Sequence, residues 1–492
     1  MCKDLRIKIP TNSIYKILFP IMLENLEPKK VWKYFEEICK IPRCSKHEEK
    51  IAEYIASIGK KSGAEVEMDE IKNVVIRKKA NGFEDAPMIT FQCHMDMVCE
   101  KNKDVEHDFS KDAIKPYING EWVVAKGTTL GADNGIGIAM CLALIDNNEI
   151  KHGPLEFLFT VDEETGLTGA FGLKKDFIKG DMLINLDSED FGVIYIGCAG
   201  GVNSTIKIPL KYENVSKKGL KISVKGLKGG HSGIEIDKGR ANSIKLLARI
   251  IYNINARISD IEGGDKHNAI PREAVARVVA EENAVDKIKE MEKQFKNEYS
   301  ATEPDLRVEI EECNIDKVLD EETNRKLLYL IMSLPHGVLA MSQEVEGLVE
   351  TSTNFATIKM NEEATIVMSS RSSINSALDG VAQSIRCIGE LAGAKVEEGS
   401  RYPGWKPNLD SKLLKIASDA FQELYGKEPE KKAIHAGLET GVIGEIKGMN
   451  EIISIGPQIE HPHSPDERVN IKSVEKFWDY LLHLIEKIAR EF

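Results

Sequence analysis

Three successive carboxylates, Asp162, Glu163 and Glu164, follow an apolar segment directly. That segment, residues 155–161, is interrupted only by Glu156 and has the composition of a buried strand. Like charges this close repel one another, and burying them together is costly unless a cation neutralises them. An isolated acidic triplet is more often a solvated loop, so other parts of the chain must decide between the two interpretations.

Other apolar segments also end in residues that can bind a metal. His94 and Asp96 follow the strand-like segment 87–92, and Asp187 ends the segment 182–186. In an open α/β sheet, the carboxyl ends of the strands form the edge at which ligands bind. His94 and Asp96 are two residues apart and share a strand face, so the carboxylate can fix the tautomer of a metal-binding imidazole. The alternatives are an H-x-D pair without a metal and a capping role for Asp187.

Two further candidates lie outside this pattern. Asp133 is in the glycine-rich turn 127–135, before the apolar helix predicted at 136–145, where it either caps the helix or bridges two cations. The turn lacks the Gly-Lys-Ser/Thr ending of a P-loop and the G-x-G-x-x-G spacing, so nucleotide binding is not expected. His463, in a proline-rich loop, is a plausible last ligand, with His461 as its local competitor.

The spacing within the acidic triplet suggests a division of roles. Glu163 and Glu164 are adjacent, so on an extended backbone their side chains point in opposite directions. One can then coordinate a metal while the other acts as general base on the water that the metal activates. Mixed histidine and carboxylate sets of this kind suit a pair of Zn²⁺, Mn²⁺ or Co²⁺ ions.

The elements that position these residues indicate two domains of the α/β class. Strands alternate with helices in the first part of the chain, which predicts a mostly parallel sheet in a catalytic domain at 26–203 and 403–492. Between them, longer alternating strands predict an inserted α+β domain at 204–402 with helices on one face of an antiparallel sheet. Residues 1–25 are interpreted as a leader that covers a surface groove. Ser45 and Glu48 resemble a capping box for a helix at 46–62.

Composition excludes several classes of protein. The net charge of −13 argues against a nucleic-acid partner. The nine cysteines are scattered and include no C-x-x-C pair, so we expect neither a disulfide framework nor a zinc finger, and a reducing, cytoplasmic setting fits best. The apolar run at 14–23 is too short for a membrane span and lacks a signal-peptide cleavage site, so no membrane partner is expected.

With these residues assembled, the chain resembles the M20 metallopeptidases and, more narrowly, the cytosolic aminoacyl-histidine (Xaa-His) dipeptidases of PepD type. The resemblance runs from about Val31 to the C-terminus and is carried by HMDMVCEKN, PYINGEWVVAKGTTLGADNGIGIAM, HGPLEFLFTVDEETG, LINLDSED, GCAGG, LKGGHSG, NAIPREA, YPGW, HAGLETG and IGPQIEHPHSPDERV. It implies hydrolysis of Xaa-His and other unblocked dipeptides by water activated at two metal ions, with Zn²⁺ expected first and Mn²⁺ or Co²⁺ as alternatives. The rival interpretations are an N-acyl amino acid deacylase on the same scaffold and a non-catalytic metal-binding relative.

The resemblance also implies roles for individual residues. Asp133 would bridge the metals, and the other implied ligands are His94, Glu164, Asp187 and His463, which decides against His461. Glu163 would be the general base, and Asp96 the partner of His94.

The inserted domain would act as a lid and hold a homodimer together. His231 would polarise the scissile carbonyl, either from the lid of the same chain or across the dimer interface. Without the resemblance, the glycines around it predict only a turn. Asn268 and Arg371 would grip the substrate, since arginine suits a peptide carboxylate. Glu439 would contact the free amino group.

Overall fold

The computed structural model describes residues 23–492, so most of the predicted leader lies outside the described residues. The first part of the chain opens with a 3-10 helix at Leu23–Asn25 and has a second at Lys175–Phe177. Its helices are α1 (Lys29–Ile38), α2 (Glu49–Lys61), α3 (Ala132–Ile145), α4 (Glu163–Gly166) and α5 (Thr168–Gly172). Its strands are β1 (Glu65–Met68), β2 (Val74–Lys78), β3 (Ile89–His94), β4 (Pro116–Asn119), β5 (Trp122–Ala125), β6 (Leu155–Thr160), β7 (Met182–Asn185) and β8 (Val193–Cys198).

The middle of the chain is dominated by long strands. They are β9 (Gly200–Pro209), β10 (Tyr212–Lys225), β11 (Gly230–His231), β12 (Arg257–Gly263), β13 (Ala269–Ile270), β14 (Ala274–Val279), β15 (Arg307–Leu319), β16 (Gly337–Met341), β17 (Val349–Met360), β18 (Glu363–Ser372) and β19 (Lys395–Tyr402). The helices between them are α6 (Ser243–Asn253), α7 (Ala284–Glu298), α8 (Glu321–Ser333) and α9 (Asn375–Leu391).

The last part of the chain returns to alternating elements. These are α10 (Lys412–Tyr425), β20 (Glu430–Ile434), α11 (Glu439–Lys447), β21 (Glu451–Ser454), β22 (Ile459–Glu460), β23 (Arg468–Asn470) and α12 (Ile471–Glu491).

One eight-stranded sheet joins the first and last parts, in the order β1-β2-β6-β3-β7-β21-β8-β20. Its middle strands β6, β3, β7 and β21 are parallel, while β1–β2, β2–β6 and β21–β8 pair antiparallel. The mostly parallel sheet is thus confirmed. His94 on β3 pairs with Thr160 on β6, and Gln92 pairs with Asn185 on β7. The residues that follow these strands therefore lie at the same edge.

Both faces of this sheet are covered, which explains the continuous apolar strands. Phe157 and Phe159 of β6 belong to the core that also contains α1, α3 and α12, whereas Leu158 belongs to the core against α5 and α11. Phe91 of β3 stacks on Phe157 with ring centroids 5.6 Å apart. This packing makes the strand ends a rigid base for the side chains beyond them.

The second large sheet is antiparallel throughout, in the order β15-β10-β14-β12-β17-β18-β9-β19, with β16 on β17. Buried side chains of α6, α7, α8 and α9 join it in one apolar core. This agrees with an α+β lid domain inserted into the α/β domain. The sheet uses residues from Gly200 to Tyr402; the domain boundaries at 203/204 and 402/403 stay predictions.

Several local expectations were wrong. Ser45 does not cap α2: its hydroxyl donates to Asp96 Oδ2 at 2.8 Å, and the helix begins at Glu49. Cys44 and Cys99 form a disulfide, although the cysteine spacing predicted no disulfide framework. Among the helices of residues 23–492, none combines the length and apolar character needed to cross a membrane.

Candidate metal centre

The centre is built outward from His94, the last residue of β3. His94 is 1% exposed, and its Nε2 lies 2.9 Å from Asp133 Oδ1 and 3.2 Å from Asp187 Oδ1. Burial opposes protonation of this imidazole, but the charge of Asp187 and the hydrogen bonds to the carboxylates outweigh it and raise the pKa of His94 well above its usual value. Asp133 and Asp187 come from different elements, the start of α3 and the loop after β7.

A second group lies on the other side of Asp133. His463 Nε2 is 3.1 Å from Asp133 Oδ2 and 3.1 Å from Glu164 Oε2. The hydrogen bonds that His463 donates to these two carboxylates raise its pKa to about 11. One oxygen of Asp133 therefore faces His94 and Asp187, and the other faces His463 and Glu164. The exposed His461 makes no such contact, in keeping with His463 as the candidate ligand.

The donor set fits two divalent cations. Ligand atoms of His94, Asp133 and Glu164 lie within 4.8 Å of one another. Glu164 Oε1 is buried without a hydrogen-bond partner among the described residues, and burial raises the pKa of this carboxyl. Four carboxylates, those of Asp96, Asp133, Glu164 and Asp187, surround the two imidazoles, so the site has an excess of negative charge. Two cations would supply the missing positive charge, with Asp133 between them.

Asp133 is positioned by a carboxylate from the far end of the chain. Glu467 Oε2 accepts hydrogen bonds from the backbone N–H groups of Leu130 (2.7 Å) and Gly131 (2.8 Å), and its Oε1 accepts from Ala132 (2.7 Å) and Asp133 (3.2 Å). These are orphan donors at a helix start. Because Glu467 satisfies them, the side chain of Asp133 is released from capping and is directed at the two histidines.

Asp96 connects His94 to the acidic triplet. Its Oδ1 lies 3.2 Å from His94 Nδ1 and accepts the backbone N–H of Glu163 at 3.0 Å, while Oδ2 accepts the N–H of Glu164 at 3.2 Å. Asp96 is fully buried, and its hydrogen bonds with His94 and Ser45 outweigh the effect of burial and hold the pKa below its usual value. Asp96 thus fixes both the imidazole and the turn that carries the candidate base.

The acidic triplet does not continue the strand, so the expectation based on an extended backbone was wrong. Asp162 has φ 52°, and Glu163 and Glu164 belong to the one-turn helix α4. The Asp162 carboxylate accepts hydrogen bonds from the hydroxyls of Thr165 and Thr168, which shape the turn. Both residues line the cavity beside the centre, but their contacts differ: Glu164 Oε2 lies 3.1 Å from His463 Nε2, whereas the Glu163 side chain has no hydrogen bond or ion pair within residues 23–492. Desolvation raises the pKa of Glu163 well above its usual value, although His94 opposes it.

A cavity of about 230 Å³ opens onto the two groups. It is lined by His94, Asp133, Glu163, Glu164, Asp187, Ser188, Glu189, Asp190, Tyr195, Ile434, Gly437, Leu438, Ser454 and His463. Ligand sites commonly measure about 300–1,000 Å³. The volume therefore suits a small substrate.

His231, Asn268 and Arg371, which are expected to act on the substrate from the lid, lie outside this lining. His231 Nδ1 accepts the backbone N–H of Gly233 at 3.2 Å, and Arg371 donates to the hydroxyl of Tyr402 at 2.8 Å. Among residues 23–492, the side chain of Asn268 has no hydrogen-bond partner, and its backbone oxygen accepts the N–H of Ser232. Within residues 23–492 of a single chain, no hydrogen bond or ion pair connects the side chains of these three residues to the proposed metal ligands.

Glu439 lies beneath the cavity. It is 1% exposed, and its Oε2 accepts from Gln92 Nε2 and Thr160 Oγ1, both at 2.6 Å. Burial raises its pKa to about 8, against the hydrogen bond from Thr160. Its other oxygen is buried without a partner among the described residues. The contact of Glu439 with a free amino group stays a prediction.

Sequence reasoning missed several residues that shape the site. The local patterns single out neither Glu467 nor Arg43. The guanidinium of Arg43 donates to the backbone oxygens of Met95 (3.0 Å) and Asp96 (2.6 Å). His435 was also missed: it is buried, its Nε2 lies 2.7 Å from Ser352 Oγ, and burial lowers its pKa to about 4. Their partners are distant in sequence, so spacing alone could not indicate them.

Comparison with known proteins identifies the family of the chain. Residues 90–487 match the model for peptidase family M20/M25/M40. A cytosol non-specific dipeptidase of Escherichia coli (strain K12) is 42% identical over 479 residues, or 95% of this chain and 99% of that protein. The crystal structure of an aminoacylhistidine dipeptidase from Vibrio alginolyticus has a TM-score of 0.88 at 42% identity and is matched over 94% of this chain and 97% of its own. The aminopeptidase PepT of Bacillus cereus shares the fold, with TM-score 0.57 and 18% identity over 94% of this chain and 100% of its own. The chain belongs to peptidase family M20/M25/M40.

Proposed function

We propose that the protein is a metallo-dipeptidase that hydrolyses unblocked dipeptides, including Xaa-His, at a dinuclear centre. The observation that carries the proposal is the position of Asp133 between two groups, His94 with Asp187 and His463 with Glu164. The 42% identity to the Escherichia coli dipeptidase over nearly the full length of both chains supports the substrate class. We infer Zn²⁺ as the metal, with Mn²⁺ or Co²⁺ as alternatives, because imidazole and carboxylate donors suit these ions.

The proposed ligands are His94, Asp133, Glu164, Asp187 and His463. Cations bound there would polarise the substrate carbonyl and lower the pKa of the attacking water. Glu163 lines the cavity beside them and takes the proton from that water as general base. It then gives the proton to the leaving amine. Asp96 keeps Glu163 in place through the backbone N–H at 3.0 Å.

The remaining proposed contacts come from the inserted domain. Arg371 and Asn268 bind the far end of the dipeptide, and His231 stabilises the oxyanion. Because His231 does not line the cavity in a single chain, its role calls for lid closure or for a second copy, which keeps a homodimer part of the proposal. We also place the protein in the cytoplasm, on the basis of its similarity to a cytosol dipeptidase.

The test combines a substrate panel with one substitution. The metal-loaded protein is expected to hydrolyse free dipeptides, to lose activity with EDTA and to regain it with Zn²⁺, Mn²⁺ or Co²⁺. Glu163→Gln is expected to keep the metals and the fold while the rate falls about 10²- to 10⁴-fold. Wild-type turnover in this variant would refute the mechanism. A preference for N-acyl amino acids would favour the deacylase, and failure to bind metal would refute the centre itself.

A further inference from the structure

The cavity beside the metal centre contains more carboxylates than the proposed reaction uses. Those that line it are Asp133, Glu163, Glu164, Asp187, Glu189 and Asp190. Three of them contact histidines and are proposed ligands, and Glu163 is the proposed base. Asp190 accepts a hydrogen bond from the hydroxyl of Tyr195 at 2.6 Å. Glu189 is left without an assigned role.

The side chain of Glu189 is available to a substrate. It makes no hydrogen bond or ion pair with another residue in the range 23–492, although the residue is only half exposed and lines the cavity. Its backbone is held firmly, because its carbonyl oxygen accepts the N–H of Ile459 at 2.9 Å. The neighbouring Ser188 oxygen would lie 1.7 Å from a Cβ at Gly456, so the two loops pack too closely for a side chain there. A free carboxylate on a rigid loop is a preorganised binding group.

The structure of a dipeptide indicates which of its groups would contact the Glu189 carboxylate. The α-nitrogen of the first residue lies about 2.5 Å from the carbonyl carbon, across two bonds, given ordinary backbone dimensions. A free α-ammonium must therefore enter the same cavity as the carbonyl that is attacked. It is positively charged at neutral pH, and a carboxylate without another partner is its natural counter-ion. Blocking that nitrogen with an acyl group removes the charge.

Glu439 is less suited to this contact. Although its Oε1 has no partner among residues 23–492, the residue is 1% exposed and does not line the cavity, and its Oε2 is bonded to Gln92 and Thr160. We propose that Glu189 binds the free α-ammonium group of the substrate and so selects unblocked dipeptides over N-acylated ones. This inference rests on the proposed dipeptidase function and adds the residue that sets its preference.

The test compares a free dipeptide with its N-acetylated form in the metal-loaded, full-length protein. Glu189→Gln keeps the shape but removes the charge, and it is expected to raise KM for the free dipeptide about 10- to 100-fold with a smaller change in kcat, as the loss of a charged hydrogen bond implies. KM for the acetylated form is expected to change little. Glu189→Asp keeps the charge and is expected to restore part of the preference. Metal content and thermal melting of each variant show that the centre and the fold are intact.

Asp190→Asn is the matched control, because it removes an equal charge at the next residue. The Asp190 carboxylate already accepts a hydrogen bond from the Tyr195 hydroxyl. This substitution is expected to keep the preference for the free amine. Equal losses in Asp190→Asn and Glu189→Gln would show a general effect of cavity charge and would overturn the assignment. Unchanged preference in Glu189→Gln would overturn it while leaving the dipeptidase function intact. A wild-type protein that prefers the acetylated form would overturn both.

Discussion

Glu467 offers the sharpest test of how the centre is held together. It is four residues after His463 and accepts the backbone N–H groups of the turn that carries Asp133. One carboxylate therefore ties the loop of one proposed ligand to the loop of another. If this reasoning is right, Glu467→Gln damages both stability and metal binding, although Glu467 is not itself a proposed ligand.

The expected losses of unfolding free energy and metal affinity in Glu467→Gln follow from the geometry. Each oxygen of Glu467 accepts two N–H groups, and the residue is 2% exposed. Glutamine replaces one oxygen with an N–H₂ group, which opposes two donors instead of accepting from them. Hydrogen bonds to a charged group contribute about 1.5–3 kcal/mol each, so the loss of two costs about 3–6 kcal/mol of unfolding free energy. Displacing the Asp133 turn is expected to weaken metal binding by about 10- to 100-fold, as for other groups that orient ligands.

Two measurements check the prediction: urea unfolding of the metal-free protein and competition with a chelator for Zn²⁺. The control is Glu460→Gln, the same change at a partly exposed residue whose carboxylate lies 2.8 Å from Arg468 Nε. An exposed pair of this kind contributes at most about 1 kcal/mol, and metal affinity is expected to stay unchanged. If Glu467→Gln costs no more than Glu460→Gln, the Asp133 turn does not depend on this carboxylate and the reasoning fails.

Three other predictions follow from contacts around the centre. Asp96→Asn is expected to weaken metal binding about 10- to 100-fold by chelator competition, since it frees the His94 ring; retained affinity would contradict this role. Ser45→Ala is expected to cost about 1–3 kcal/mol of unfolding free energy through Asp96, and a double-mutant cycle should show that most of this cost vanishes beside Asp96→Asn. The pKa of His435 falls from 6.5 to about 4 on folding, because it is buried and near Arg371. The unfolded chain therefore binds this proton more tightly, and stability is lost as pH drops from about 6.5 towards 4, by up to about 3 kcal/mol. Unfolding at pH 7.5 and pH 5 should show a smaller loss in His435→Gln, and an equal loss would contradict the assignment.

Much of the fold and the ligand set could be predicted from local patterns. Strands β3, β6 and β7 are buried on both faces and largely apolar, and the polar residues that follow them mark the edge of the sheet where His94, Glu164 and Asp187 come together. This works because parallel strands share a carboxyl edge, so each strand end can be read independently of the others. The two-group arrangement around Asp133 could not be derived in this way and entered through the family resemblance.

What failed depends on contacts between distant segments. The Ser45 hydroxyl satisfies every local requirement of a capping box, yet it bonds to Asp96, 51 residues away. Glu163 and Glu164 were expected to continue an extended strand, but Asp162 turns the backbone where Thr165 and Thr168 bond to its carboxylate. In each case the backbone follows side-chain hydrogen bonds that the local sequence pattern does not indicate.

The glycine-rich turn before α3 shows the same principle at the centre itself. It lacks the pattern of a phosphate-binding loop, and in the structure its glycines make room for the buried guanidinium of Arg43. A Cβ at Gly131 would lie 2.6 Å from Arg43 Nη2, and one at Gly135 would lie 2.7 Å from the same atom. The Arg43 guanidinium donates to the backbone oxygens of Gly131 and Asp96, so it clamps the two segments that carry Asp133 and His94. These glycines are needed because an arginine passes through the space where their side chains would be, and the distance between the two proposed ligands depends on it.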